Sequence, residues 1–189
     1  MRKERLQMIS DGVIAIILTL MVLEIKVPYP FTMQSFAPVA EHIAIYALSF
    51  VVVAIMWLNH HHIFKGIETV SIRVIWLNFL LLFCMSIIPL PTKALGENFY
   101  QHSAHLFYGI VITVTAIFYS SLQMEVNKNA EHLTDTEKKK INRLNWISVS
   151  TYSLSIPFSF ISVYLSTAIF VLIPIVYFIP SRILIAKQD

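Results

Sequence analysis

The feature that most constrains this chain is a repeated run of about 20 mostly apolar residues, the length a helix needs to cross a bilayer. Six stretches qualify: residues 6–25, 39–63, 72–95, 104–126, 141–163 and 166–185. Inside lipid no water serves the backbone, so such stretches must close their hydrogen bonds internally, as helices. The expected fold class is therefore all-α: a polytopic membrane protein with six transmembrane helices, one six-helix unit spanning residues 1–189. Only 13% of the 189 residues are charged, against about 25% in soluble domains. Too few charges remain to clothe a water-soluble globule of this size.

The positions of the basic residues matter more than their sum of +3. With the N-terminus placed in the cytoplasm, every Lys and Arg falls on the cytoplasmic side except Lys26 and Lys93. Cytoplasmic loops are enriched in these residues. The expectation is a cell-membrane protein with both termini cytoplasmic and no nucleic-acid partner. Asp11 interrupts the first apolar stretch, and no small-residue cleavage pattern follows, so a signal peptide is not expected there.

The first helix carries the most information. Its uncharged run, residues 12–23, is only 12 residues, about 18 Å of helix. To span the membrane the helix must extend back through Asp11 toward Arg5. A carboxylate at that depth needs a partner, and Arg5, six residues away, points elsewhere on a helix. The second helix ends in Trp57, Leu58, Asn59, His60, His61 and His62, and the third holds Arg73, Trp76 and Asn78. These lie level with Asp11. A structural polar network of Arg5, Ser10, Asp11, Trp57, Asn59, His60 and Asn78 is expected to join the three helices.

Three consecutive histidines point about 100° apart on a helix, so no single ion can use all three. No metal site and no cofactor are expected. A proton path through Asp11 and His60–His62 is the alternative reading, as a proton channel or proton-coupled transporter. Further along helix one, Ile16, Thr19, Leu20 and Leu23 share one stripe; by pattern alone it serves packing against lipid or a neighbour. The many serines of the fifth span suit close helix approach and interhelical hydrogen bonding. No phosphate loop, zinc-ligand spacing or nucleophile elbow is present, so the chain does not read as an enzyme. A Thr-Val-Gly-Tyr-Gly filter is also lacking.

The run from Arg5 to Ile16, RLQMISDGVIAI, resembles the opening signature of the transmembrane protein 175 family: Arg, three residues, Phe, Ser, Asp. Ile9 stands where the family has Phe. The segments Trp57–His62 and Arg73–Asn78 resemble the family's second and third helices, and the likeness is concentrated in these first three helices. The resemblance implies a potassium-permeable cation channel without a filter loop. It also implies a homotetramer in the lipid bilayer, with potassium ions as the permeant species. It further implies that helix one lines the pore, with Ile16, Leu20 and Leu23 as an apolar constriction and Thr19 as a hydroxyl layer, while Arg5, Ser10 and Asp11 brace that helix.

Overall fold

The computed structural model describes residues 2–30, 32–64, 67–130 and 133–185, with side chains omitted at residue 35 and over 176–185. Helices follow in the order α1 (Lys3–Leu23), α2 (Met33–Ile63), α3 (Ile72–Ile87), α4 (Pro89–Glu97), α5 (His102–Asn127), α6 (Asp135–Ile161) and α7 (Val163–Ile185). No strand occurs among the described residues; a lone bridge pairs Arg2 with Thr69. Lys65 and Lys187, part of the charge pattern, lie outside the described residues.

All six expected segments are helical. The third is jointed: α3 and α4 meet at Ile88, where Pro89 opens the new helix. Proline has no N–H to donate, which suits the first turn of a helix and not its interior. Four rods are long and apolar enough to cross a membrane: Lys3–Leu23, Phe36–Ile63, Ile72–Glu97 and His102–Asn127. The last two fall short of that criterion for different reasons. α6 starts well before the expected segment, at Asp135, with charged first turns, and its uncharged remainder, 144–161, is diluted by serine, threonine, asparagine and proline. Thr134 and Glu137 form a reciprocal capping box there, satisfying two N-terminal donors. In α7 the apolar part with described side chains is the short piece Val163–Ile175. The chain reverses at Ser162, which is extended, and Ser166 Oγ then donates back to the Ser155 carbonyl at 3.1 Å.

α5 is the hub, packed against α3, α4 and α6, while α1 lies against α2 and α3 at the side of the bundle. The core unites Leu6, Ile14, Ile17 and Met21 of α1 with Leu81 and Met85 of α3, Tyr108 and Ile112 of α5 and Phe170 of α7. The Ser49 hydroxyl lies 3.0 Å from the Tyr108 hydroxyl and 2.9 Å from that of Thr92, joining α2, α5 and α4.

The serines of α6 allow the close helix approach expected of them. Ser148, Ser153, Ser155 and Ser159 donate to carbonyls of their own helix. At Ser155 the small side chain is what the packing uses. A Cβ added at Gly109 of α5 would stand 2.8 Å from Ser155 Oγ, so the two helices cross where neither has bulk.

Candidate pore helix and its polar anchor

One face of α1 is buried at Leu6, Ser10, Ile14, Ile17 and Met21. The steps of four, four, three and four keep these residues on one side of the helix. The other face carries Ile16, Leu20 and Leu23, which are 57%, 49% and 74% exposed, with Thr19 also exposed among them. Only 28% of the most apolar window of α1 is buried, against 56% for α5. An apolar helix so little covered by its own chain must meet lipid, a second copy or a conduit. Gly12 continues the same stripe one turn below Ile16, and nothing lies within 4 Å of where its Cβ would be.

The Thr19 hydroxyl lies 2.9 Å from the Ile16 carbonyl and 3.1 Å from that of Ala15, and donates to them. Its hydrogen is thereby turned back into the helix. The oxygen lone pairs remain to accept from, or ligate, whatever passes the exposed face.

The buried face is anchored by a directional hydrogen-bond chain. Ser10 Oγ donates to the Leu6 carbonyl at 2.8 Å. The serine has a single hydrogen, so it accepts from Asn78 Nδ2 at 2.9 Å. Asn78 Oδ1, 2.7 Å from His60 Nε2, is an acceptor only; His60 therefore carries its proton on Nε2 and donates. All three side chains are buried. Beside this chain, Trp57 Nε1 donates to Asp11 Oδ1 at 2.8 Å. The start of α1 is tied down as well, with Lys3 N donating to the Glu68 carbonyl and Lys3 Nζ to that of Phe64.

Ser10, Asp11, Trp57, His60 and Asn78 are thus brought together, and two expected members are not. Arg5 is exposed and makes no hydrogen bond or ion pair among the described residues. Its position, five residues before Ser10, turns it to the outer side of α1. Asn59 is half-buried and lines a different cavity, with Met56, Tyr119 and Asn145, between α2, α5 and α6. One residue of helix, about 100°, separates it from His60. Ile9, where the signature has Phe, is 47% exposed and lies outside the buried core of the chain. Of the histidine run, His60 is buried, His61 exposed and His62 intermediate. Among the described residues no group of three or more His, Cys, Asp or Glu is placed to hold a metal.

Two contacts have no counterpart in the sequence reading. Glu24 pairs with Lys93 at 2.6 Å and Lys26 with Glu97 at 3.2 Å, joining the end of α1 to α4. Lys93 and Glu97 are four apart on one helix, opposite in sign order to Glu24 and Lys26. That complementarity is visible in sequence once α1 and α4 are known to be neighbours.

The profile of the endosomal/lysosomal potassium channel TMEM175 family matches residues 5–89. A potassium channel of Chryseobacterium sp. strain P1-3 is 34% identical over 96% of this chain and 95% of its own length. One of Streptomyces collinus is 30% identical over 92% of this chain and 90% of its own. The crystal structure of a lysosomal potassium-selective channel TMEM175 homolog from Chamaesiphon minutus superposes with a TM-score of 0.82 at 28% identity, covering 94% of this chain and 97% of that one. Sequence and fold agree over nearly the whole length, and the chain belongs to the TMEM175 potassium channel family.

Proposed function

We propose that this chain is one subunit of a homotetrameric potassium-permeable channel, with the exposed face of α1 from each copy turned toward a central axis. The observation that carries the reading is the two-sidedness of α1. Its back is fastened by Ser10, Asn78 and His60, while its front is an apolar stripe that the chain itself leaves uncovered. Four copies of Ile16, Leu20 and Leu23 form apolar rings, and such rings close a pore by excluding water. A conducting state needs the rings to widen, or the ion to pass with part of its water removed. K⁺ gives up its water more readily than Na⁺, and the Thr19 oxygens, free to ligate, replace some of it. Gly12, without a side chain, leaves the stripe wider below the rings.

Lys and Arg cluster near the start of α1, the start of α3, the end of α5 and the start of α6, with only Lys26 and Lys93 toward the opposite end. This supports a cell-membrane subunit with both termini cytoplasmic. The buried hydrogen-bond chain is no proton path of its own: it runs from His60 through Asn78 and Ser10, leaves out Asp11, and ends at the Leu6 carbonyl. A backbone carbonyl has no proton to pass on.

The test is ion flux from liposomes holding the purified protein, under K⁺, Na⁺ and H⁺ gradients. The expected result is K⁺ flux above Na⁺ flux, raised or made less selective by Leu23→Ala. An assembled oligomer that passes no ion, or passes protons alone, would overturn the proposal.

A further inference from the structure

α1 is held at both ends, by unlike means. Near Asp11 it is packed and hydrogen-bonded in the core. At Leu23 the helix stops, and the two ion pairs Glu24–Lys93 and Lys26–Glu97 reach across to α4. A small, partly open crevice lies at the same place, walled by Met21, Ile25, His42 and Tyr46 and by the paired Glu24, Lys93 and Glu97 themselves; its volume of about 20 Å³ holds about one water. Beyond the buried Met21, the two ion pairs are thus the polar ties between this end of α1 and α4. The signs are crossed: negative then positive on α1 meets positive then negative on α4. Sliding one helix by a turn sets Glu24 against Glu97 in one direction or Lys26 against Lys93 in the other, so the arrangement selects one register and penalises those on either side.

We propose that these two ion pairs are a strut that positions the Leu23 end of α1 and so sets the width of the outermost apolar ring. The inference rests on the pore reading above. Breaking the strut frees the end of α1 beyond Met21 from α4, and the ring is no longer held at its narrow width. The four residues act on the ion through α1 and are positioning residues.

The alternative is that Glu24 and Lys93 act directly on ions as charges at the pore mouth. The two ideas differ in sign. Glu24→Gln removes a negative charge and Lys93→Met a positive one, so a direct effect on K⁺ moves flux in opposite directions, and the double variant cancels. A strut is broken equally by either change. The expected result is that each single variant raises K⁺ flux per assembled channel about two- to fivefold, the range an exposed ion pair commands in an equilibrium. The double variant should match the singles rather than add to them. Opposite shifts, or no shift in any variant, overturn the strut. Should either variant fail to assemble, the same cycle with Lys26→Gln and Glu97→Gln decides.

A second measurement separates this inference from the pore reading. Leu23→Cys channels are exposed to a charged thiol reagent; the native Cys84 is buried, and unsubstituted protein is the control. Block of K⁺ flux, with faster block when the strut is broken, supports both. Block at an unchanged rate overturns the strut alone. Undiminished flux after the cysteine is shown to be modified removes the pore reading and the strut with it.

Discussion

The Trp57 indole and the Asp11 carboxylate face each other across α2 and α1 at 2.8 Å. Asp11 is only partly buried, so the bond acts at the edge of the bundle, beside the buried chain of Ser10, Asn78 and His60. Hydrogen bonds to charged groups contribute about 1.5–3 kcal/mol when buried, and partial exposure reduces this. Trp57→Phe is expected to lower the unfolding free energy by about 1 kcal/mol, read as a lower melting temperature in detergent. Adding Asp11→Asn, which removes the charge left unpaired, should cost less in the Trp57→Phe background than in the native one. Strict additivity would show that the two side chains do not depend on each other.

Asn78 is the middle link of the buried chain, donating to Ser10 and accepting from His60. Asn78→Leu removes a donor to Ser10 and an acceptor for His60; Ser10 keeps its bond to the Leu6 carbonyl, so the stranded group is the buried His60 N–H, at about 1–3 kcal/mol. Asn78→Asp keeps the acceptor for His60 but gives Ser10 no amide donor. The expected order of melting temperature is native, then aspartate, then leucine. The leucine variant should also show faster amide exchange in the first two turns of α1. A leucine variant as stable as the native protein would reduce the network to a packing coincidence.

What the sequence made legible follows physical lines. The stripe Ile16, Thr19, Leu20, Leu23 could be read because helical spacing alone puts those residues on one face, and that face is exposed. Asp11 demanded a partner because a carboxylate at membrane depth cannot stay unpaired without cost. Asn59 could not be assigned from its neighbourhood, since it differs from His60 by one residue of helical rotation and that rotation decides which cavity it enters. The serines of α6 are polar enough to bond across helices, yet their nearest acceptors are carbonyls one turn back. Whether a hydroxyl bonds its own helix or the next depends on rotamer and crossing distance, neither of which residue order fixes. The strut residues were hidden for another reason. Charges at helix ends suit interfacial anchoring equally well, and only the adjacency of α1 and α4 pairs them.

Gly109 offers a test of helix packing away from the pore. A methyl group there would meet Ser155 Oγ at 2.8 Å and Ile156 Cγ1 at 3.2 Å. Ser155 Oγ is held by its bond to the Tyr152 carbonyl, so relief requires breaking that bond or separating α5 from α6. Overpacking of this kind typically costs about 1–3 kcal/mol. Gly109→Ala is expected near the lower end, because Ala also favours the helix by about 1 kcal/mol over Gly. Combining it with Ser155→Ala should recover most of the loss. Melting temperatures of the three variants in detergent decide it.

Thr19 carries the sharpest prediction for ion choice. Its hydrogen is donated to Ile16 and Ala15, so the group offers oxygen lone pairs and no donor to the exposed face. Thr19→Ser keeps that arrangement and loses only a methyl. Thr19→Val keeps the shape and removes the oxygen. If the hydroxyl layer supplies ligands to a partly dehydrated ion, the serine variant should retain the native K⁺/Na⁺ permeability ratio, while the valine variant should lower it several-fold. Reversal potentials under bi-ionic conditions measure both. A valine variant with an unchanged ratio would leave the apolar rings of Ile16, Leu20 and Leu23 as the sole source of discrimination. Ion choice would then rest on how easily each ion sheds water, with no contribution from how the protein replaces it.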